Sequence, residues 1–507
     1  MSDRILNADL AGKIMSAEEA ANFINNGDNV GTSGFTGAGY PKAMPKAIAA
    51  KAKVAHSRGE DFTINLFTGA STGDDADGVL AEANAINFRT PYNSDRTLRN
   101  QFNAGEALYS DIHLSHLGQQ VVQGFFGPMQ VAILEVVKIN EDGTVVPSSA
   151  VGNNVEYAQY ADKIILEVNS WQSAELEGMH DIYEPEQLWD RTPIPITNVG
   201  DRIGETFQRI DTSKVVAVIE TNEADRNSPF KEPDEVSKKI AENFLQFLED
   251  EVAAGRLSYD NYVMQSGVGN VPNAVMAGLL NSKFENITAY TEVIQDGMLD
   301  LIDAGKMTMA SATSFALSPE AAERMNEKAD FYRKHIILRP QAISNHPEVI
   351  RRVGLIASNG LIEADVFGNV NSTNVSGGKV MNGIGGSGDF TRNAYISSFV
   401  TPSVAKGGAI SAIVPHASHI DHTEHDAMVF VSEYGYADLR GLAPRQRAER
   451  MIAIAHPDYR AQLEEYVERG LAAGGHTPVH LPTAFEFHTR LAETGSMLKQ
   501  QDALVEN

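Results

Sequence analysis

Four groups of residues in this chain have types and spacing that could do chemistry. The first is Glu292, in Tyr290-Thr291-Glu292-Val293-Ile294-Gln295-Asp296-Gly297. An acid that closes an apolar run and precedes two more apolar residues stands at the rim of a core, partly desolvated. Such a carboxylate can act as a base or a nucleophile; a helix-capping or surface glutamate is the other reading. The second group is a pair of glycine loops, Ser266-Gly267-Val268-Gly269-Asn270-Val271-Pro272 and Asn382-Gly383-Ile384-Gly385-Gly386-Ser387-Gly388-Asp389-Phe390. Glycines let backbone approach a ligand and turn N–H groups toward it. The first loop is not Gly-x-Gly-x-x-Gly and no Gly-Lys-Ser/Thr follows, so neither dinucleotide nor P-loop binding is supported. By itself it reads as a tight strand-to-helix connection. The second could aim successive N–H groups at a developing oxyanion, or be a surface loop, although Ile384 and Phe390 imply packing.

The third group is His416, His419, His422 and His425, spaced every third residue with Asp421 and Glu424 between them. Histidine with carboxylate is a legitimate zinc or iron set. A spacing of three fits no helical ligand pair cleanly, and Pro415 argues for a loop that these histidines line or cap. The fourth group is basic: Lys42, Arg226, Lys379, Lys406 and Arg440. Lys406 stands out because Gly407 and Gly408 follow the charge and a strand begins after them.

These residues sit in a chain of 507 with a net charge of 41 − 67 = −26. Nucleic acid and anionic membrane are therefore poor partners, and an anionic ligand must be captured locally by a few cations or N–H groups. There is no Cys, which removes disulfides, thiolate nucleophiles and cysteine metal sites. The N-terminus, MSDRILNADLAGKI, lacks an apolar signal-peptide region. No apolar run approaches the ~18 residues of a membrane span, and the C-terminal DALVEN matches no anchor. A soluble, cytoplasmic protein of two to four domains is the expectation.

The elements that must hold these groups read as α/β. Strands are predicted at Phe62–Thr68, Val131–Ile139, Lys163–Val168, Lys214–Ile219, Tyr262–Gln265, Asn286–Glu292, Ala409–Val414 and Ala427–Ser432. Several are apolar at successive positions, as in a parallel sheet covered on both faces. Helices are predicted at Pro41–Ala55, Asp234–Ala254, Pro319–Asp330 and Pro444–Ala455. In Asp234–Ala254 the apolar stripe is Val236, Ile240, Phe244, Phe247 and Val252; Ser318-Pro319 is a cap followed by proline.

The two halves share an order of motifs. Ser33-Gly34-Phe35 with Pro41 parallels Ser266-Gly267-Val268 with Pro272. Asn65–Gly69 parallels Thr288–Glu292. Asp142–Val145 with Ser148-Ser149 parallels Gly368–Val370 with Ser372-Thr373. Ile165-Leu166-Glu167 parallels Val431-Ser432-Glu433. This order predicts a tandem duplication with a seam near Thr221–Asp234, where Asn227, Ser228 and two prolines occur. Where one half carries Gly69 the other carries Glu292, each at the C-terminal end of a strand, where ligands of open α/β sheets bind. One half is thus expected to be chemically equipped and the other to shape the cleft.

Together these motifs resemble the class I CoA-transferases, specifically the acetyl-CoA hydrolase/transferase family that includes bacterial succinyl-CoA:acetate CoA-transferases. The resemblance runs over nearly the whole length, through Gly31–Pro41, Gln265–Asn270, Glu292–Gly297, Gly368–Thr373, Gly385–Phe390, Ala437–Gly441 and Ala455–Tyr459. It implies two related open α/β domains, residues 1–226 and 227–507, with the active site in the cleft between them, and a homodimer. Glu292 matches the glutamate nucleophile, Val268 and Gly386 the backbone donors of the oxyanion hole, and Asn345 a polar contact to the reacting carboxylate. Gly267, Val268, Gly269, Asn270, Val271, Ile362, Asn382, Gly386 and Lys406 match CoA-binding positions. Glu433 and Arg226 match residues behind the reacting groups or beside the substrate. The histidine run receives no role.

The implied reaction is ping-pong transfer of CoA between an acyl-CoA and a small carboxylate, with succinyl-CoA and acetate the favoured pair. CoA is a substrate, and no prosthetic group or metal is called for. A hydrolase would use the same residues. A His/Asp/Glu metallohydrolase built on the histidine run and a non-catalytic acyl-CoA binder are the readings from other classes; the binder has no need of an attacking carboxylate.

Overall fold

The computed structural model describes residues 3–499 apart from 187, 227, 229 and 230. Asn227 and Pro229 of the expected seam, and the C-terminal DALVEN, lie outside the described residues. Two eight-stranded sheets carry the chain. The first contains β1 (Asn29–Thr32), β2 (Ile64–Phe67), β3 (Ile86–Thr90), β4 (Leu108–Tyr109), β5 (Met129–Ile139), β6 (Val145–Pro147), β7 (Ala161–Asn169) and β8 (Val215–Thr221). The second contains β9 (Val263–Ser266), β10 (Ile287–Tyr290), β11 (Met307–Ala312), β12 (Ile336–Leu338), β13 (Ile356–Asn359), β14 (Ile396–Val400), β15 (Val429–Ser432) and β16 (Gly435–Asp438).

The strand orders are β4-β3-β2-β1-β5-β7-β8, with β6 on β5, and β12-β11-β10-β9-β13-β14-β15-β16. Apart from β6 and β16, every pairing in them is parallel. Read from its first strand, each sheet builds four strands outward and then reverses to the other side of that strand. This is one topology used twice, and its reversal points lie between β1 and β5 and between β9 and β13. The inner strands β5, β7 and β15 are buried on nearly every residue, as the continuous apolar runs of a doubly covered sheet require.

The paired motifs fall on equivalent elements with one exception. Ser33-Gly34-Phe35 and Ser266-Gly267-Val268 leave β1 and β9, and Gly69 and Glu292 lie just past β2 and β10. The turns after Asp142 and at Gly368 each lead into an antiparallel return strand. The pairing of Glu167 with Glu433 is corrected: Glu167 is on β7, whose counterpart is β14, whereas Glu433 follows β15, the counterpart of β8.

Four further readings change. The predicted strand Ala409–Val414 divides into Ile410–Ser411 and Ile413–Val414, which pair with different partners. The predicted strand to Glu292 stops at Tyr290, because the Glu292 carbonyl accepts the N–H groups of Thr313 (2.9 Å) and Ser314 (3.1 Å) and the chain leaves the sheet. The helix from Pro319 breaks at Lys328 into Pro319–Glu327 and Ala329–Tyr332, although Ser318 caps it as expected. In the helix Glu235–Ala253, Ile240, Phe244 and Phe247 are buried but Val236 is on the solvent face.

The halves are joined by more than the seam. A long connection between β7 and β8 runs across the second half, where Leu176 and Met179 enter the main apolar core and Ile194, Ile196 and Val199 pack with Tyr290 and Ile343. Asp181 on this connection forms a fully buried ion pair with Arg339 after β12. No described helix is long and apolar enough to cross a membrane.

Candidate active site

The reversal point of the second sheet opens into a cleft of about 790 Å³ lined by both halves. Phe35, Ala70, Tyr92 and Leu114 come from the first half; Val268, Glu292, Ile362 and Gly386 come from the second. This is the location at which open α/β sheets bind ligands. Where β5 runs unbroken to its hairpin, the equivalent path after β13 is interrupted by Gly360-Leu361-Ile362, and that interruption forms one wall of the cleft.

Glu292 is half-buried on the floor. Its Oε1 accepts one hydrogen bond, from Asn345 Nδ2 at 2.7 Å. Desolvation pushes its carboxyl up to about 7, against the Asn345 bond, and the negative Asp389 nearby adds to the rise. A carboxylate with little solvation and one donor is a better nucleophile than a solvated one. Asn345 is buried at the C-terminal end of the single helical turn Gln341–Ser344, and its Oδ1 accepts from Ser344 Oγ at 2.8 Å. That bond turns the amide nitrogen toward Glu292.

The two glycine loops close on the carboxylate. Gly386 passes so near it that a Cβ at this position would overlap Glu292 Oε1; this glycine is required by contact and not by backbone angle, its φ being −89°. Gly267 to Asn270 line the opposite wall, held by Gln295 Nε2 on the Gly267 carbonyl at 2.8 Å. Among the described residues no partner is found for the N–H of Val268 or of Gly386, so both can meet an incoming oxyanion.

The remaining sequence candidates divide. Asn382 and Ile362 line the cleft, with Asn382 Nδ2 bound to the Ser372 and Gly383 carbonyls (3.0 and 2.9 Å). Val271 is buried in the main apolar core and is not on the cleft wall. Arg226 stands at the cleft, its guanidinium on Asp74 at 2.5 Å and its N–H on Gly37 at 3.0 Å. Lys406 is exposed and is not on the cleft wall. Glu433 is likewise not on the wall; its carboxylate accepts the N–H and hydroxyl of Ser403, which secures the chain leaving β14.

The histidines do not converge. His416 Nδ1 pairs with Asp365 at 3.0 Å, which raises its pKa. His422 is buried and held below its ordinary pKa by desolvation; its Nε2 lies 3.0 Å from Ser387 Oγ, supporting the second glycine loop. His425 is exposed. Among the described residues no three His, Asp or Glu side chains are grouped to hold a metal ion. Sequence reading passed over Asp389, Ser115, Asp111 and Tyr92, all close to this site. Asp389 lay inside a motif read for its glycines, and its partners are distant in sequence.

Over residues 3–220 the chain matches the acetyl-CoA hydrolase/transferase N-terminal domain, and over residues 322–467 the acetyl-CoA hydrolase/transferase C-terminal domain. It is 47% identical over 496 residues to the succinyl-CoA:acetate CoA-transferase of Clostridium kluyveri, which covers 97% of this chain and 92% of that protein. It is 42% identical over 514 residues to the acetyl-CoA hydrolase of Schizosaccharomyces pombe, covering 98% of each. Among solved structures, RipA from Yersinia pestis has the same fold, with a TM-score of 0.70 at 22% identity over 91% of this chain and 98% of that one. The chain belongs to the acetyl-CoA hydrolase/transferase family.

Proposed function

We propose that this protein transfers CoA between an acyl-CoA and a free carboxylic acid, with succinyl-CoA and acetate as the favoured pair. The observation that carries the reading is Glu292: a half-buried carboxylate with a single side-chain donor, set between two glycine loops with free N–H groups. Its carboxylate attacks the thioester carbonyl. The tetrahedral oxyanion is received by the Val268 and Gly386 N–H groups and collapses to an acyl-glutamyl anhydride and CoA thiolate. The thiolate then attacks the glutamyl carbonyl, expelling the first acid as its carboxylate and leaving a glutamyl-CoA thioester. A second carboxylate attacks that thioester, and the two steps run in reverse to give the new acyl-CoA and free Glu292. One oriented oxyanion donor is worth about 3–4 kcal/mol in such steps.

With this reading go a homodimer, a cytoplasmic location, CoA as substrate without a prosthetic group, and a division into residues 1–226 and 227–507. A second reading, in which water resolves the intermediate, is favoured by the relatives named acetyl-CoA hydrolases. The test follows succinyl-CoA with and without acetate, resolving acetyl-CoA and free CoA by chromatography. Acetyl-CoA formed only with acetate is the expected result. Free CoA released at the same rate with or without acetate would replace transfer by hydrolysis.

A further inference from the structure

Gly386 lies between two anchors that come from the other half of the chain. Two residues before it, the Ile384 N–H donates to both carboxylate oxygens of Asp111, at 2.9 Å each. Three residues after it, Asp389 accepts the Ser115 hydroxyl at 2.6 Å on one oxygen and the Ser115 N–H at 3.0 Å on the other. Asp111 and Ser115 stand four residues apart, at the entry to the helix Leu114–Val122 of the first half. Asp389 is buried, and the oxygen that takes the Ser115 N–H also lies 3.4 Å from Asn345 Nδ2. The Asn345 amide therefore directs its nitrogen at two carboxylates, Asp389 behind it and Glu292 in front.

A run of glycines has little stiffness of its own. A donor in it assists a reaction only if something else fixes its place to a fraction of an ångström. We propose that Asp111 and Ser115 are positioning residues: the first half pins the glycine turn on both sides of Gly386, and Asp389 passes that registration to Asn345 and Glu292. This rests on the transferase reading above. It makes the first half part of the catalytic apparatus, although its own sheet carries no nucleophile. None of the three residues needs to touch substrate for this role.

The test compares wild type with Glu292→Ala, Ser115→Ala, Asp111→Ala, Asp389→Ala and the Ser115→Ala/Asp389→Ala double variant. Thermal unfolding is measured on each. Transfer by wild type that disappears in Glu292→Ala identifies the underlying reading; its absence overturns that reading and this one together. With that control met, Ser115→Ala and Asp111→Ala should each lower kcat about tenfold, and Asp389→Ala about a hundredfold, the scale of loss for an ångström of misplacement. KM for acyl-CoA should stay within about twofold, because the groups act on the turn and not on the ligand. The double variant should be no slower than Asp389→Ala alone, since the pair acts through one contact. Wild-type kcat in both Ser115→Ala and Asp111→Ala, or losses that multiply in the double variant, would overturn the proposal while Glu292 remained essential. Ser115→Ala removes a single hydroxyl and Asp111 is exposed, so these two decide the matter even if Asp389→Ala fails to fold.

Discussion

At equivalent points of the same strand order the first half carries Gly69 and the second carries Glu292. What surrounds them differs in kind. A Cβ on Gly69 would come within 2.9 Å of the Gly34 carbonyl and the Phe35 ring, so the first half closes over this point with packed chain. Its ionisable groups are turned on one another nearby: buried Lys42 bonds Glu135 at 2.7 Å and Asp225 at 2.9 Å. Glu167 takes the backbone N–H groups of Lys42, Ala43 and Met44 at the start of a helix. The second half leaves its carboxylate facing a cleft with one side-chain donor. The repeated topology has two rims: the groups of one are saturated with partners, and the carboxylate of the other has a single side-chain donor and faces the cleft.

The largest test of this contrast is Glu292→Ala. Transfer should be abolished while acyl-CoA still binds, measured by turnover and by calorimetry with CoA; retained turnover would place the nucleophile elsewhere. Next is Gly386→Ala, whose methyl group would strike the Glu292 carboxylate. A loss of kcat of about 10²–10³-fold is expected, the scale for losing an oxyanion donor, with a fold unchanged by circular dichroism. On the scaffold side, Lys42→Ala should lower stability by about 3–5 kcal/mol in denaturant titration, because it leaves Glu135 and Asp225 buried without their cation. A change under ~1 kcal/mol would show that this network is dispensable.

The smallest effect concerns charge on Glu292. With its folded carboxyl raised from 4.5 to about 7, the folded state holds the proton more tightly than the unfolded chain. Stability is therefore lost as pH rises from 4.5, fully so above about 7, and ionised Glu292 costs stability at pH 8. Glu292→Gln should then be more stable than wild type by about 1–3 kcal/mol at pH 8 and by little at pH 4. The same sign predicts that kcat/KM of wild type, measured against pH, should fall as pH drops through about 7, as Glu292 takes a proton.

Much of this was legible in the residues. The buried runs at Val131–Ile139 and Lys163–Val168 marked strands because a doubly covered sheet needs apolar residues at every position. The Asn382–Asp389 loop stood out because its glycines suit neither a helix nor a strand, whereas the Ser266–Asn270 loop by itself read as a strand-to-helix connection and gained meaning only beside Glu292. The mismatch of Glu167 with Glu433 shows the limit: three residues of alike chemistry do not fix which strand they occupy when the halves differ in loop length. Asp389 shows another. Its meaning comes from Ser115, 274 positions away, and nothing local distinguishes it from a helix-start acid. Lys406 stood out because glycines follow its charge; it is exposed, in a left-handed conformation, and does not line the cleft wall.

The connection between β7 and β8 has a consequence for how the molecule could be divided. A cut between Thr221 and Asp234 would respect the repeat in sequence but not in space. The N-terminal piece would bare Leu176, Met179, Ile194 and Ile196, and the C-terminal piece would expose the surface they cover and leave Arg339 without Asp181. Neither piece should then fold as an autonomous globule. Expressed together they should reassemble as a non-covalent pair, in which the donated arm serves as the clasp.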